Sequence, residues 1–593
     1  MIAPAKSRGA AAAAALFASF VFLAFTSSAA PGKWLSPAAM VAAPDGSALY
    51  IACGAGDRVL VFDPSARRVV KSIAVPDTPS GLALGAGGQT LLVTCAGPES
   101  RVCVVDAAKG KVISRFPAGH TAMAPVVSPD GKTLFVCNRF NDDISVVDLA
   151  TQQTLRRIPV RREPVAAAIT QDGRHLLVAN HLPRGRADVD HVGAVVSVID
   201  TARGQVVDDL WLPNGSGSLQ DIRISPDGQY AVVTHILARF HLPTTQLERG
   251  WMSTNAKTII DLKRMQVLNT FLLDTIDRGA ANPWGAAWSD DGKTLVVALA
   301  GTHEISVTDF PALLAKLAKV SPEPLTPISA ALPYSSSGTR VPSDVPNDLS
   351  FLVGVRERRR LPEGDLGPRA VVVLGRRAYV ANYFSDTLTV MELDGTYPKV
   401  ESIPLGPKPR LTPAQQGELY FNDARICFQG WQSCASCHPG DGRMDALNWD
   451  LLNDGIGNPK NNKSLLLAFK TPPAMSTGVR ESAEAAVRAG IRHILFTVQP
   501  PEVSYSLDAY VKSLKPVPSP HLDRGKLSAA ARRGEKVFRN NETACAQCHP
   551  GPLFTDLKSY DVGTVGRFDK VSDTFDTPTL VELWRTAPYL HDG

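Results

Sequence analysis

From Pro44 onward the chain repeats one phrase of apolar and polar positions: a turn written Asp-Gly, a β-branched run, a polar loop, a second β-run and an aspartate. It reads PDGSALYIAC then DRVLVFD at 44–63, and SPDGKTLFVCN then DDISVVD at 128–148. TQDGRHLLVAN (170–180), SPDGQYAVVTH (225–235) and SDDGKTLVVAL (289–299) follow. Two degenerate copies, GAGGQTLLVTC (85–95) and LGRRAYVANYFSDTLTVMELD (374–394), bring the total to seven. Asp-Gly between alternating apolar runs predicts a hairpin closed by a type I′ turn, with positive φ at both central residues. Several short strands per period of about 42 residues, seven times over, predict a seven-bladed propeller across 30–400. One blade cannot bury both its faces, so packing around a ring supplies the core.

The phrases YIAC, FVCN and YVAN, each followed by a run like DDISVVD, resemble the YVTN-type propellers of bacterial secreted proteins. The resemblance implies a fold and no activity. Composition agrees: Gly (46) and Pro (45) are abundant, as turn-dense β structure needs. At 593 residues several domains are expected, and 62 basic against 57 acidic residues leave no excess to hold a polyanion such as nucleic acid.

Before the repeat, Lys6 and Arg8 precede an uncharged run from Ala10 to Phe25, and small residues lead to Pro31. This is the pattern of a secretory signal peptide, 1–29, cleaved after Ala29. The expected location is periplasmic or otherwise exported. No second stretch of spanning length follows, so no membrane span is expected once the signal is removed.

Between Pro311 and Asp365 the period dissolves into Pro/Ser-rich sequence, read as an irregular insertion before the last blade. Its RERRR cluster at 356–360 is expected to be the solvated face of an outer strand. His181, His235 and His303 fall where strand ends should emerge on one face of the ring, with His191, His241 and Trp251 in nearby insertions. They are read either as a pocket for metal or substrate or as residues bonding between blades. Cys95 and Cys103 flank a turn and could pair or stay as thiols, like Cys53 and Cys137.

After Gly406-Pro407 a second repeat begins. LTPAQQGELYFNDA then CASCHPGDGRMD spans 411–445; LSAAARRGEKVFRNN then CAQCHPGPLFTD spans 527–556. Thr412 and Ser528 suit helix N-caps. The first copy carries about five extra residues around Cys427 to Trp431. Two mainly α-helical modules are expected, 407–516 and 522–593. Each copy holds Cys-x-x-Cys-His: Cys434, Cys437 and His438, then Cys545, Cys548 and His549. Two thiols at this spacing can add to the two vinyls of a haem while the adjacent histidine reaches the iron. A dithiol redox pair or half a zinc site would not need the histidine. Two covalent c-type haems are therefore expected, with His438 and His549 as proximal ligands.

DTPTLVELWRTAPYLHDG at 576–593 resembles the TPxLRNVxxTAPYxHDG signature of the bacterial di-haem cytochrome c peroxidase and MauG-like family, and RGEKVF…CAQCH is a second match. The resemblance implies an exported peroxidase or MauG-like oxidase in which the second haem relays electrons to the first. It implies hydrogen peroxide as substrate, and a small c-type cytochrome or copper protein as partner. From VQPPEVS at 498–504 it carries over Glu502 as acid–base residue and Gln499 as its pocket partner. The family's distal histidine falls at Asp454 here, which leaves Met475 and His493 as candidate distal ligands. Thr586 and Pro588 match positions whose carbonyls bind calcium in the family. The alternative is a non-catalytic electron carrier with the propeller as docking platform; a third reading makes the propeller the substrate-binding part.

Overall fold

The structure, a computed structural model, describes residues 34–241, 252–320, 341–395, 398–408, 410–450 and 458–593. The signal region, Trp251 and Asp454 lie outside these residues.

Seven four-stranded antiparallel sheets follow one another along the chain, each with its strands in sequence order. Blade one holds Pro37–Ala42, Leu49–Cys53, Arg58–Asp63 and Arg68–Ala74. Blades two to four run from Pro79–Leu84 to Lys111–Pro117, Ala122–Val127 to Gln153–Pro159, and Pro164–Ile169 to Gln205–Trp211. Blades five to seven run from Ser216–Ile224 to Gln266–Leu272, Pro283–Trp288 to Arg356–Arg360, and Pro368–Leu374 to Val400–Pro404. The second strand of blade one, LYIAC, is buried throughout, whereas its outer strand alternates exposed and covered residues. The ring closes by packing blade seven on blade one, where Tyr379, Ala381 and Leu388 share a core with Leu49, Ile51 and Phe62. Asp386 reinforces the closure by accepting from the amides of Leu35 and Ser36 at 2.9 Å each.

The Asp-Gly turns differ from the sequence expectation. In Ser128-Pro129-Asp130-Gly131 the Gly131 amide donates to Ser128 O at 2.8 Å, and of the Asp-Gly pair only Gly131 has positive φ (71°). The Asp130 carboxylate accepts from Ser128 Oγ and the Lys132 amide. This is a type I turn followed by a left-handed glycine, suited to proline at its second position. The longer loop removes the need for positive φ at the aspartate.

The insertion also differs. It lies inside blade six, ahead of that blade's outer strand, and its described parts include helix α1 (Phe310–Leu317) and a 3-10 turn (Pro342–Asn347). Phe310, Leu313, Val345 and Phe351 join the core between blades five and six. In the RERRR strand Arg358 turns inward onto Glu304, whose side chain is 2% exposed.

The following region is less helical than expected. The first module contains α2 (Pro413–Asn422), α3 (Ala483–His493) and α4 (Pro501–Ser513). Among the described residues of the second module, α5 (Ala529–Phe538) is the one helix longer than a turn. Loops fill the rest, anchored to one another and to the propeller. Among the described residues no helix is long and apolar enough to cross a membrane.

Candidate haem-attachment sites and their junction with the propeller

The first module starts with a reciprocal cap. Thr412 Oγ1 accepts from the Gln415 amide, and Gln415 Oε1 accepts from the Thr412 amide at 3.0 Å. α2 crosses α4 at Gly417, where a Cβ would stand 2.7 Å from that of Tyr510. Phe421, Ile491, Leu495, Val503, Leu507 and Val511 then form an apolar layer that also takes in Cys427 and Cys434. Cys427 is thereby buried, and burial pushes its thiol up to about 11.

Cys434–Cys437 is a single helical turn, closed by the His438 amide donating to Cys434 O at 2.9 Å. The His438 ring bonds through Nδ1 to Arg443 O at 3.0 Å. A carbonyl can only accept, so Nδ1 carries the proton and Nε2 is the atom left to a metal. Burial pushes the imidazole down to about 4, although the carbonyls of Arg443 and Lys463 favour its protonated form. It is therefore neutral at pH 7, as a ligand must be.

The second site repeats this geometry. Ser528 Oγ caps α5 by accepting from the Ala531 amide, Cys545–Cys548 is again one turn, and His549 Nδ1 bonds Phe554 O at 2.9 Å. Both histidines thus bond the carbonyl five residues on. Two thiols on one turn followed by a histidine of fixed tautomer fit a covalently attached haem at each site.

Their surroundings differ. Gln547 within the second turn, residues shortly before that turn and most of α5 are exposed. The first turn faces the propeller: Cys437 packs with Ile236, Ala238, Met252, Leu447 and Trp449. Asn282 Nδ2 donates to Ser433 Oγ at 2.8 Å, and Ser436 Oγ donates to Asn282 Oδ1 at 2.9 Å. Asn255 Nδ2 donates to Trp431 O. Asn462 donates to the Cys437 carbonyl and, at 3.3 Å, to Asp445 Oδ1. Asp445 also accepts from Trp449 Nε1 at 2.8 Å, and burial pushes its carboxyl up to about 7.

Among the described residues the three propeller histidines form no metal-binding group with one another. His181 Nδ1 bonds Leu219 O in the next blade, and His235 Nε2 bonds Thr258 Oγ1. His303 Nδ1 accepts from the Gly367 amide, which leaves its proton on Nε2, 3.2 Å from Asp423 Oδ1 of the first module. Burial would raise the Asp423 carboxyl, but bonds from His303 and Arg425 outweigh it and hold it at about 2. His191 Nε2 bonds Leu212 O, and His241 is exposed. Of the two readings the sequence left open, bonding between blades describes His181 and His303, whereas His235 bonds within blade five. Cys95 and Cys103 are buried on adjacent strands with their sulfurs 3.8 Å apart, as thiols.

Glu502 is exposed in the first turn of α4. Gln499 donates to Thr497 Oγ1 at 2.9 Å and to Ile426 O at 3.3 Å, touching the apolar layer around Cys434. Met475 is half-buried between the bridged residues Ala474 and Arg480, and His493 is exposed at the end of α3. Beside Thr586 and Pro588, the Arg162 guanidinium donates to the carbonyls of Arg585 and Ala587.

Three ion pairs in two buried groups escaped sequence reasoning. Arg443 Nε donates to Glu582 Oε2 at 2.8 Å, joining the first module to the second. Glu163 of the propeller pairs with Arg139 at 2.7 Å and with Arg585 of the second module at 3.3 Å.

No protein-family profile matches the chain. It is similar to the gamma subunit of hydrazine synthase from Kuenenia stuttgartiensis, 28% identical over 229 residues, 30% of this chain and 65% of that protein. The beta subunit is 31% identical over 210 residues, 35% of this chain and 49% of that one. The chain thus spans about half of one of these relatives and about two thirds of the other. The methylamine utilization protein MauG of Methylorubrum extorquens is 26% identical over 265 residues, covering 34% of this chain and 71% of MauG. A solved hydrazine synthase structure from K. stuttgartiensis aligns with a TM-score of 0.53 and 27% identity, over 62% of this chain and 98% of that one. These likenesses match a seven-bladed propeller fused to a cytochrome c region.

Proposed function

We propose that the protein is an exported di-haem c-type cytochrome with peroxidase or MauG-like oxidase activity, its electrons passing from the second haem to the first. The observation that carries this reading is the duplicated Cys-x-x-Cys-His turn, each histidine held by the carbonyl five residues on. Relatives named MauG and cytochrome-c peroxidase support it. When bound, haem supplies an iron that exchanges single electrons and, with an open coordination position, cleaves peroxide.

In this reading Cys434 and Cys437, and Cys545 and Cys548, fix the two macrocycles, and His438 and His549 hold the irons. The neutral His438 imidazole offers its Nε2 lone pair without losing a proton first. Met252, Trp449 and the apolar layer keep water from the first site, while the exposed second site accepts a small redox protein. Glu502, in contact with solvent, moves the proton between the two peroxide oxygens, and Gln499 holds the segment before it to Ile426. Met475 and His493 are the candidate distal ligands. Calcium at Thr586 and Pro588 would adjoin a resident cation, the Arg162 guanidinium.

The test is peroxide turnover by the full chain with both haems loaded, using a reduced small c-type cytochrome as donor. Oxidation of that donor at a rate set by peroxide supports the reading; its absence favours the carrier. A second reading is favoured by the two hydrazine synthase relatives, both subunits of a larger enzyme. It makes this chain one subunit of a haem-protein assembly. Native mass of the protein from its own cells distinguishes a lone chain from an assembly.

A further inference from the structure

The loop joining His438 to Arg443 is Pro439-Gly440-Asp441-Gly442, with left-handed φ at Gly440, Asp441 and Gly442 (59°, 65° and 73°). Such a loop has no ladder to hold it, yet its shape decides where Arg443 O meets His438 Nδ1. Two guanidiniums hold it. Arg443 Nη1 donates to Asp441 O at 2.7 Å, and Arg585 Nη2 donates to Gly440 O at 3.1 Å. A Cβ on Gly440 would stand 2.5 Å from Arg585 Nη2 and 2.9 Å from Arg139 Nη2, so the loop is wedged between them.

Each guanidinium is held by a buried carboxylate from another part of the protein. Glu582 of the second module takes Arg443 in a two-pronged bond, Nε to Oε2 at 2.8 Å and Nη2 to Oε1 at 2.9 Å. Its Oε1 also accepts from the Val517 amide, and the pair's side chains are 4% and 1% exposed. Glu163 of the propeller takes Arg585 and Arg139, and the side chains of Glu163 and Arg585 are each 4% exposed. The TPxLRNV signature has asparagine where this chain has Glu582, so the carboxylate belongs to this chain's own arrangement.

We propose that Glu582 and Glu163 are positioning residues through which the second module and the propeller set the reduction potential of the haem on His438. The inference rests on that turn carrying a haem. Two effects act in one direction. A carbonyl held firmly against Nδ1–H makes the imidazole a stronger donor and favours the oxidised iron. A buried carboxylate balances guanidinium charge that would otherwise favour the reduced iron. Removing either carboxylate raises the potential.

The experiment is a spectroscopic redox titration of the full-length holoprotein, its haem count checked first, for the natural chain and for Glu582→Gln, Glu163→Gln and Glu582→Asp. The Cys545→Ser/Cys548→Ser chain, with the first haem alone, assigns the signals. Either glutamine variant is expected to shift the first haem's reduction equilibrium about tenfold toward the reduced form, about 59 mV for one electron. The second haem's midpoint stays in place, and Glu582→Asp restores most of the natural value. An unmoved first midpoint in whichever glutamine variant folds, or equal shifts of both haems, overturns the proposal and leaves the haem reading standing. A chain without haem at Cys434 and Cys437 overturns both.

Discussion

A Cβ on Gly279 of the propeller would stand 2.6 Å from the backbone nitrogen of Trp431 in the first module, and the Gly279 amide donates to Gln429 O at 3.0 Å. The extra residues around Cys427 to Trp431 are thus one of the segments that seat this module on the ring, and the close approach needs glycine.

Gly279→Ala should therefore loosen the junction. Overpacking against backbone costs about 1–3 kcal/mol, so urea unfolding should start earlier while the propeller's own transition stays in place. Gly534 in α5 has no atom within 4 Å of its would-be Cβ, and Gly534→Ala should stabilise by about 1 kcal/mol. Equal behaviour of the two variants would contradict this.

The His303–Asp423 contact makes the same junction acid-sensitive. Asp423 ionises at about 2 in the folded chain against an ordinary 3.8. The stability this contributes, about 2 kcal/mol, is present above pH 4 and lost as pH falls toward 2. Asp423→Asn should be less stable than the natural chain at pH 6, the gap closing near pH 2.5. A gap independent of pH would argue that shape, not charge, holds the contact.

Glu418 on α2 has the opposite sign. Burial pushes its carboxyl up to about 7, against the pull of Arg369, beside the Tyr383 hydroxyl. The folded chain keeps a proton that the unfolded chain releases above about 4.5, so this site costs stability as pH rises to 7. Glu418→Gln should gain about 2 kcal/mol over the natural chain at pH 8 and nothing at pH 4. Unchanged stability at pH 8 would mean that the carboxylate is already compensated.

Glu502→Gln keeps the side chain's shape without its proton. Peroxide turnover should fall about 100-fold, with haem content and spectra intact because Glu502 is exposed in the first turn of α4. Full turnover would remove Glu502 from the reaction.

What could be read from the sequence was local. Blade hairpins are written within some twenty residues, so YIAC…DRVLVFD showed its strands, and Cys-x-x-Cys-His carries its chemistry in five positions. The turn type was misjudged because Ser128 and Asp130 bond each other across the loop, which lets only Gly131 take positive φ. The inward turn of Arg358 could not be seen, since its partner Glu304 lies 54 residues earlier. Likewise Arg443 and Glu582 are 139 residues apart. Helix was overestimated in the second module because loops there are tied by distant contacts, such as Asp576 bonding Lys463 of the first module.

The measurement that bears most directly on the account is a haem count per chain with absorbance and spin-state spectra before and after peroxide. The account predicts two c-type haems, one of which responds to peroxide and is lost in Cys434→Ser/Cys437→Ser. Two low-spin haems unmoved by peroxide would contradict it and make the protein an electron carrier.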